Sequence, residues 1–190
     1  MNVWYKSWTH AVQKYPANRQ KDSKNRELIL EKLKLKAEDV EDLTILSAYL
    51  QDAITMMSDI VYLRENRRFV IMLNRYIWEN RCPDTGDILP EKNTPCSRIR
   101  TGLHFDDVLN ISSRNISTSL KEHPLELLSI EGQKLDDRTF HVDFIFSGNG
   151  VIRLDCEMIS AHMQDIGDTW PAKCHPKHAI LNALQNDNTG

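Results

Sequence analysis

Over residues 31–36 the apolar positions alternate with charged ones, Leu33 and Leu35 standing between lysines, which is the period of a half-buried strand. The period then changes. Val40, Leu43, Leu46, Leu50 and Ala53 recur at spacings of three and four, and Ile45, Tyr49 and Ile54 widen the stripe, so this stretch predicts an amphipathic helix. Glu38, Asp39, Glu41 and Asp42 crowd its first turns, where the partial positive charge of a helix N-terminus favours acids.

After Ser58-Asp59 the pattern becomes that of β structure. A strand over 60–64, a charged turn at Glu65-Asn66-Arg67 and a second strand over 68–79 form a hairpin. In the second strand Phe69, Ile71 and Leu73 face one way and Val70, Met72, Tyr76 and Trp78 the other, so both faces are apolar and the strand belongs inside a sheet. Residues 81–100 hold Pro83, Pro90 and Pro95 with few apolar positions and predict a loop. Further strands follow at 103–105, 108–112, 125–130, 140–146 and 151–156. The last two alternate cleanly and are joined by Ser147-Gly148-Asn149-Gly150, a hairpin turn. Ile159, Met163 and Ile166 then predict a short closing helix over 157–166.

Strands in succession, without βαβ alternation, point to an α+β fold built on a bent antiparallel sheet or small open barrel. The element order is PH-like, with one N-terminal-side helix and a C-terminal helix as plug; this analogy of order carries no function. At 190 residues the chain suits one domain, set at 27–180, behind a mobile basic extension over 1–26 and ahead of a disordered tail over 181–190. With 24 bases against 27 acids, bulk charge signals neither DNA nor membrane. No apolar run approaches the ~18 residues that cross a bilayer. There is no secretory signal pattern either, so Cys82, Cys96, Cys156 and Cys174 read as reduced thiols of a soluble, cytoplasmic protein.

Four stretches in order, LKLKAEDVEDLTILSAYLQDAI from Leu33, RRFVIMLNRYIWE from Arg67, TGLHFDDV from Thr101 and GVIRLDCEMISAHMQDIG from Gly150, resemble an alphaproteobacterial family catalogued only as a domain of unknown function. The resemblance runs from about Leu33 to His178. It implies a bacterial cytoplasmic protein and lends no catalytic residue.

Candidate chemistry is sparse. Arg68, Asn74, Arg75, Trp78, Arg98 and Arg100, with Arg64 and Arg67 nearby, form a basic and polar set that a hairpin and its following loop bring to one edge. Arginine forks suit carboxylates and phosphates, so one reading is an anion site. The other pairs these arginines with Asp59, Glu65, Glu79, Asp106 and Asp107 on a solvated edge. Arg75 interrupts an apolar strand, and an internal ion pair with Asp143 or Asp155 would satisfy it. Cys174, His175 and His178 make a weak metal cluster without the paired-cysteine spacing of structural zinc sites; an ordinary surface turn explains them as well. Asp52, Asp143, Asp155, His104 and His141 are the groups that acid-base chemistry would draw on, but parity does not bring them together. Gly148-Asn149-Gly150 joins two strands and does not open a helix, so it is no phosphate loop.

No catalytic or cofactor motif stands out, and no cofactor is expected. The leading reading is a non-enzymatic binding or adaptor module with a protein or peptide partner, anchored on Tyr62, Tyr76 and Trp78, and open to homodimerisation through a free strand edge. The alternative is a protein or enzyme with an arginine-lined pocket for a small anion. A third class is RNA binding through the basic extension, which the bulk charge does not favour.

Overall fold

The computed structural model describes residues 32–77, 97–117, 119, 121–136 and 138–172. The early alternation forms strand β1, Lys34–Ala37, and helix α1 follows over Val40–Leu50. Asp39 caps the helix: its carboxylate accepts from the Asp42 amide at 2.8 Å, and the Asp42 carboxylate accepts from the Glu38 amide at 2.9 Å. Two amides left without helical partners are thereby satisfied. The helix stops at Leu50, short of the predicted stripe, because Asp52 adopts a left-handed turn with φ 58°. Ala53 continues the apolar spacing because the turn delivers it to the core, whereas Ile54 opens the next strand half-buried and outside that core.

Strand β2, Ile54–Met56, passes through one tight turn into β3, Ile60–Leu63, and a second turn leads into β4, Arg68–Tyr76. As expected, Phe69, Ile71 and Leu73 share the buried face of β4. Strand β5 covers Ser97–Phe105, so residues 97–100, read from sequence as loop, are strand. Only Ile99 is apolar among those four residues, and a single inward side chain gives no visible period. Strands β6, Val108–Arg114, and β7, Pro124–Asp136, come next. The expected hairpin follows as β8, Thr139–Phe146, and β9, Gly150–Cys156.

The predicted closing helix does not form: β10 runs over Ala161–Pro171. Ile159, Ala161, Met163 and Asp165 all point inward, a period of two that an aspartate at the fourth position conceals. The plug of the PH-like order is therefore absent from 157–166, and among the described residues the structure is a mainly antiparallel sheet with one α-helix near its start. The N-terminal extension over 1–26 and the tail over 181–190 lie outside the described residues, as do Cys82 and Cys96.

All pairings are antiparallel in the strand order β1-β10-β5-β4-β2-β7-β8-β9-β6, with β3 beside β4, and the sheet stays open. Three residues of β2 hold its halves together: Ile54 pairs with Asn74 on one side and Glu126 on the other. The halves then fold face to face. The Phe144 ring meets Phe69 at 5.3 Å and Phe105 at 5.6 Å, between centroids, at the middle of one continuous core. Burying each such ring contributes roughly 1.5–3 kcal/mol. Helix α1 lies on β7 and inserts Leu43, Leu46 and Leu50. Gly132 allows the close approach, since a Cβ there would sit 2.8 Å from Leu43 Cδ1, and Ser47 Oγ accepts from the Ile130 amide at 2.8 Å. No helix among the described residues is long and apolar enough to cross a membrane.

The reciprocal cap is the local determinant of where α1 begins. Asp39→Ala is expected to lower the unfolding free energy by about 1 kcal/mol, measured by urea titration, with an unchanged slope.

Candidate functional site

Alternation divides the side chains of β4, β5 and β10 into an inner and an outer set. Arg75 belongs to the inner one and is 1% exposed. Its Nε and Nη2 donate to Asp165 Oδ1 and Oδ2 at 2.8 and 2.6 Å, a bidentate pair. Thr101 Oγ1 donates to Asp165 Oδ1 at 2.7 Å and the Leu33 amide to Oδ2 at 3.2 Å. Arg75 Nη1 donates to the Tyr76 carbonyl at 3.0 Å, and the Tyr49 ring lies 5.9 Å away. An internal ion pair was expected here, but its acid is Asp165. Asp143 and Asp155 sit on the outer face of the β8–β9 hairpin, where Asp143 takes both Arg153 Nε and Nη2 and Asp155 faces His141 Nε2 at 3.2 Å.

The outer face of β4 and β5 carries the rest of the arginine set. Arg98 lies over the Tyr76 ring at 3.8 Å and donates to the Asn74 carbonyl at 2.6 Å. Arg100 Nη2 reaches Asp59 Oδ1 at 3.0 Å, and its Nη1 donates to Asn74 Oδ1 at 3.3 Å. Arg68 Nε donates to Asp106 Oδ1, and Arg67 pairs with Glu157. Arg68, Asn74, Arg98 and Arg100 thus share one face, each engaged within the protein, while Arg75 points away from them. Trp78, and the metal candidates Cys174, His175 and His178, lie outside the described residues.

Sequence reading did not see His162. It stands directly across from His104 in the β5–β10 register, and the two imidazoles stack at 5.0 Å with 15° between their planes. Asp106 Oδ2 lies 3.7 Å from His104 Nε2. One ligand atom from each of His104, Asp106 and His162 falls within 4.8 Å of the others. Burial holds the His104 imidazole below the usual histidine range, against the pull of Asp106. The signal available in sequence was the H-x-D spacing of His104 and Asp106, which aligns two ligands at the end of a strand. His162 was hidden inside a stretch read as helix.

A different kind of feature lies at the far end of the sheet. Among the described residues β6 pairs with β9 alone, and Leu109 is the extra residue of a bulge, 49% exposed. From Asn110 to Arg114 the strand is regular, with Ile111 and Ser113 opposite the inward Leu154 and Ile152. The expected aromatic anchors are not free: the Tyr62 hydroxyl donates to the Val108 and Leu109 carbonyls at 3.0 and 3.2 Å, and Tyr76 is buried.

Residues 33–178 match a family model described as "Protein of unknown function (DUF2948)". The chain belongs to this family. The match runs from the start of β1 past the end of β10, so it takes in the DUF2948 member's buried ion pair, its outer arginine face, its histidine cluster and the β6 edge. No curated protein and no solved structure matches the chain.

Removing one partner of a buried pair strands the other charge. Arg75→Met and Asp165→Asn are each expected to cost about 3–5 kcal/mol in chemical denaturation. The double change Arg75→Met with Asp165→Leu is expected to recover much of that loss, since neither member of the pair is left buried without the other.

Proposed function

We propose that this protein is a non-catalytic binding module of the bacterial cytoplasm that takes an extended peptide along the outer edge of β6. The observation that carries this reading is the contrast between the two ends of the sheet. The β1 end is four residues long and carries Lys34 and Lys36, charges that discourage a further strand. The β6 end is seven residues long and has no proline or lysine; Arg67 and Tyr62 hold the main chain of Val108 and Leu109, and residues 110–114 are mostly exposed. Edge strands of that kind accept an added strand through main-chain hydrogen bonds, and side chains on alternate positions supply selectivity. Beside β6 the inward-facing Ile111 packs on the core, so the peptide expected is one with apolar residues at every second position.

Two further observations support the reading. The outer arginines already hold carboxylate or carbonyl oxygens, so an incoming anion would have to displace them. Cys156 is a free, buried thiol, and burial pushes its pKa up to about 12, so it is no nucleophile, in keeping with a non-catalytic role.

Selection from a displayed library of random linear peptides tests the proposal. Enriched peptides should show apolar residues with a period of two, and their binding should shift backbone amide resonances of β6. Leu109→Lys with Ser112→Lys should weaken binding by ~10-fold or more at unchanged thermal stability, because outward edge lysines oppose strand addition. Absence of enrichment, or shifts confined to another surface, would sink the idea. A dimer in sedimentation that the lysine variant dissociates would instead give the edge to a second copy of the chain.

A further inference from the structure

The cluster on the β5–β10 face has a composition that neither peptide binding nor folding requires. Two imidazoles and one carboxylate come from adjacent strands, with one donor atom of each within 4.8 Å of the others. The near-parallel histidines are a directly opposed cross-strand pair, so the sheet ladder itself sets their separation. Stacking two imidazoles side by side is a weak reason to place two histidines there. It is a suitable one for presenting two nitrogens to the same point.

Three details suit an ion. Asp106 Oδ1 is held by Arg68 Nε, which fixes the carboxylate plane and leaves Oδ2 on the side of His104. A ligating carboxylate supported by an outer hydrogen bond is the usual arrangement of a metal centre. His162 Nδ1 is shielded from solvent and has no hydrogen-bond partner among the described residues. Such a ring has an unmet demand, and coordination through one nitrogen fixes its tautomer and orientation. Finally, the three groups sit at the surface end of the strands, with Asp106 anchored by its amide to the Ser160 carbonyl at 2.9 Å, so an ion could enter without opening the core.

We infer that His104, Asp106 and His162 form a binding site for a divalent transition-metal ion, with zinc as the species whose ligand preferences fit best. Imidazole nitrogen with a single carboxylate is a borderline donor set, chosen by zinc and its neighbours over magnesium or calcium, which prefer all-oxygen shells. Zinc–ligand bonds of about 2.0–2.2 Å ask the three groups to turn inward by side-chain rotation, without movement of the strands. Three protein ligands leave a coordination position for water or an outside donor. Arg68 beside the carboxylate lowers the affinity below that of a four-ligand structural site. The inference does not depend on the β6 edge.

The test uses the full chain, freed of metal with a chelator and titrated with zinc in a calorimeter and with cobalt(II) in a visible spectrometer. The expected result is one strong equivalent, with a cobalt spectrum lacking a thiolate charge-transfer band. His162→Gln and Asp106→Asn should each weaken zinc by at least ~10-fold, the scale on which even outer partners of metal ligands act. His162 lies near the start of β10 and Asp106 just past the end of β5, and a circular-dichroism melt of each variant confirms that it folds. A variant carrying Cys174→Ser, His175→Ala and His178→Ala should bind as the parent does. No saturable binding would overturn the proposal. Binding that survives His162→Gln and vanishes in the Cys174 variant would also overturn it, moving the ion to the other cluster.

Discussion

The buried pairing of Arg75 with Asp165 is the constraint around which one half of this protein is arranged. A guanidinium and a carboxylate, both almost fully withdrawn from water, are tolerated only when each is paired and its remaining donors and acceptors are satisfied. Satisfying them here takes Thr101, the Tyr76 carbonyl and the Leu33 amide. Those groups belong to β4, β5, β10 and the entry to β1, so the pair fixes four segments relative to one another. A slip of one residue in any of these strands would turn its member of the network out to solvent. The pair thus acts more on register than on net stability, because desolvation consumes most of the attraction between the charges.

The same pair decided what could be read from the sequence. Helix α1, the apolar faces of β4 and the β8–β9 hairpin were legible, since their buried positions are held by Leu, Ile, Val and Phe at clean periods. The inward side of β10 reads Ala161, Met163, Asp165, and with a charge in the third place the period of two vanished. Ile159, Met163 and Ile166 were left to imitate a helix. Arg75 announced that an acid must lie inside, but only the strand order could show that β10, and neither β8 nor β9, lies next to β5. Loss of β10 from the reading also removed His162 from the face it shares with His104. Asp143 and Asp155, the acids expected to pair with Arg75, alternate with the apolar residues of their own strands, and that parity was the available sign that neither faces the core.

Polar side chains on the two faces of the β4–β5–β10 half do different physical work. Inside, every donor is matched and the network is closed to ligands. Outside, arginines and acids pair across strands in positions where water competes and each contact is worth little. The histidine cluster differs from both, because its polar atoms converge without pairing fully among themselves. The β6 edge differs again, being a matter of main chain rather than side chain. The two sites proposed above therefore lie apart from the closed network inside the sheet.

Because β10 lies between β1 and β5, β1 has no strand beside it among the described residues until β10 arrives. The Leu33 amide and Asp165 are 132 residues apart in the chain, so their contact closes one of the longest loops the fold contains. During synthesis Arg75 emerges well before Asp165, and a chain halted short of β10 would hold its buried guanidinium without that carboxylate. Such a fragment cannot bury its own central strand without cost, and it keeps an open, charged seam for chaperones or proteases to recognise. The ion pair thereby couples closure of the core around β4 to the arrival of β10, a strand more than eighty residues downstream.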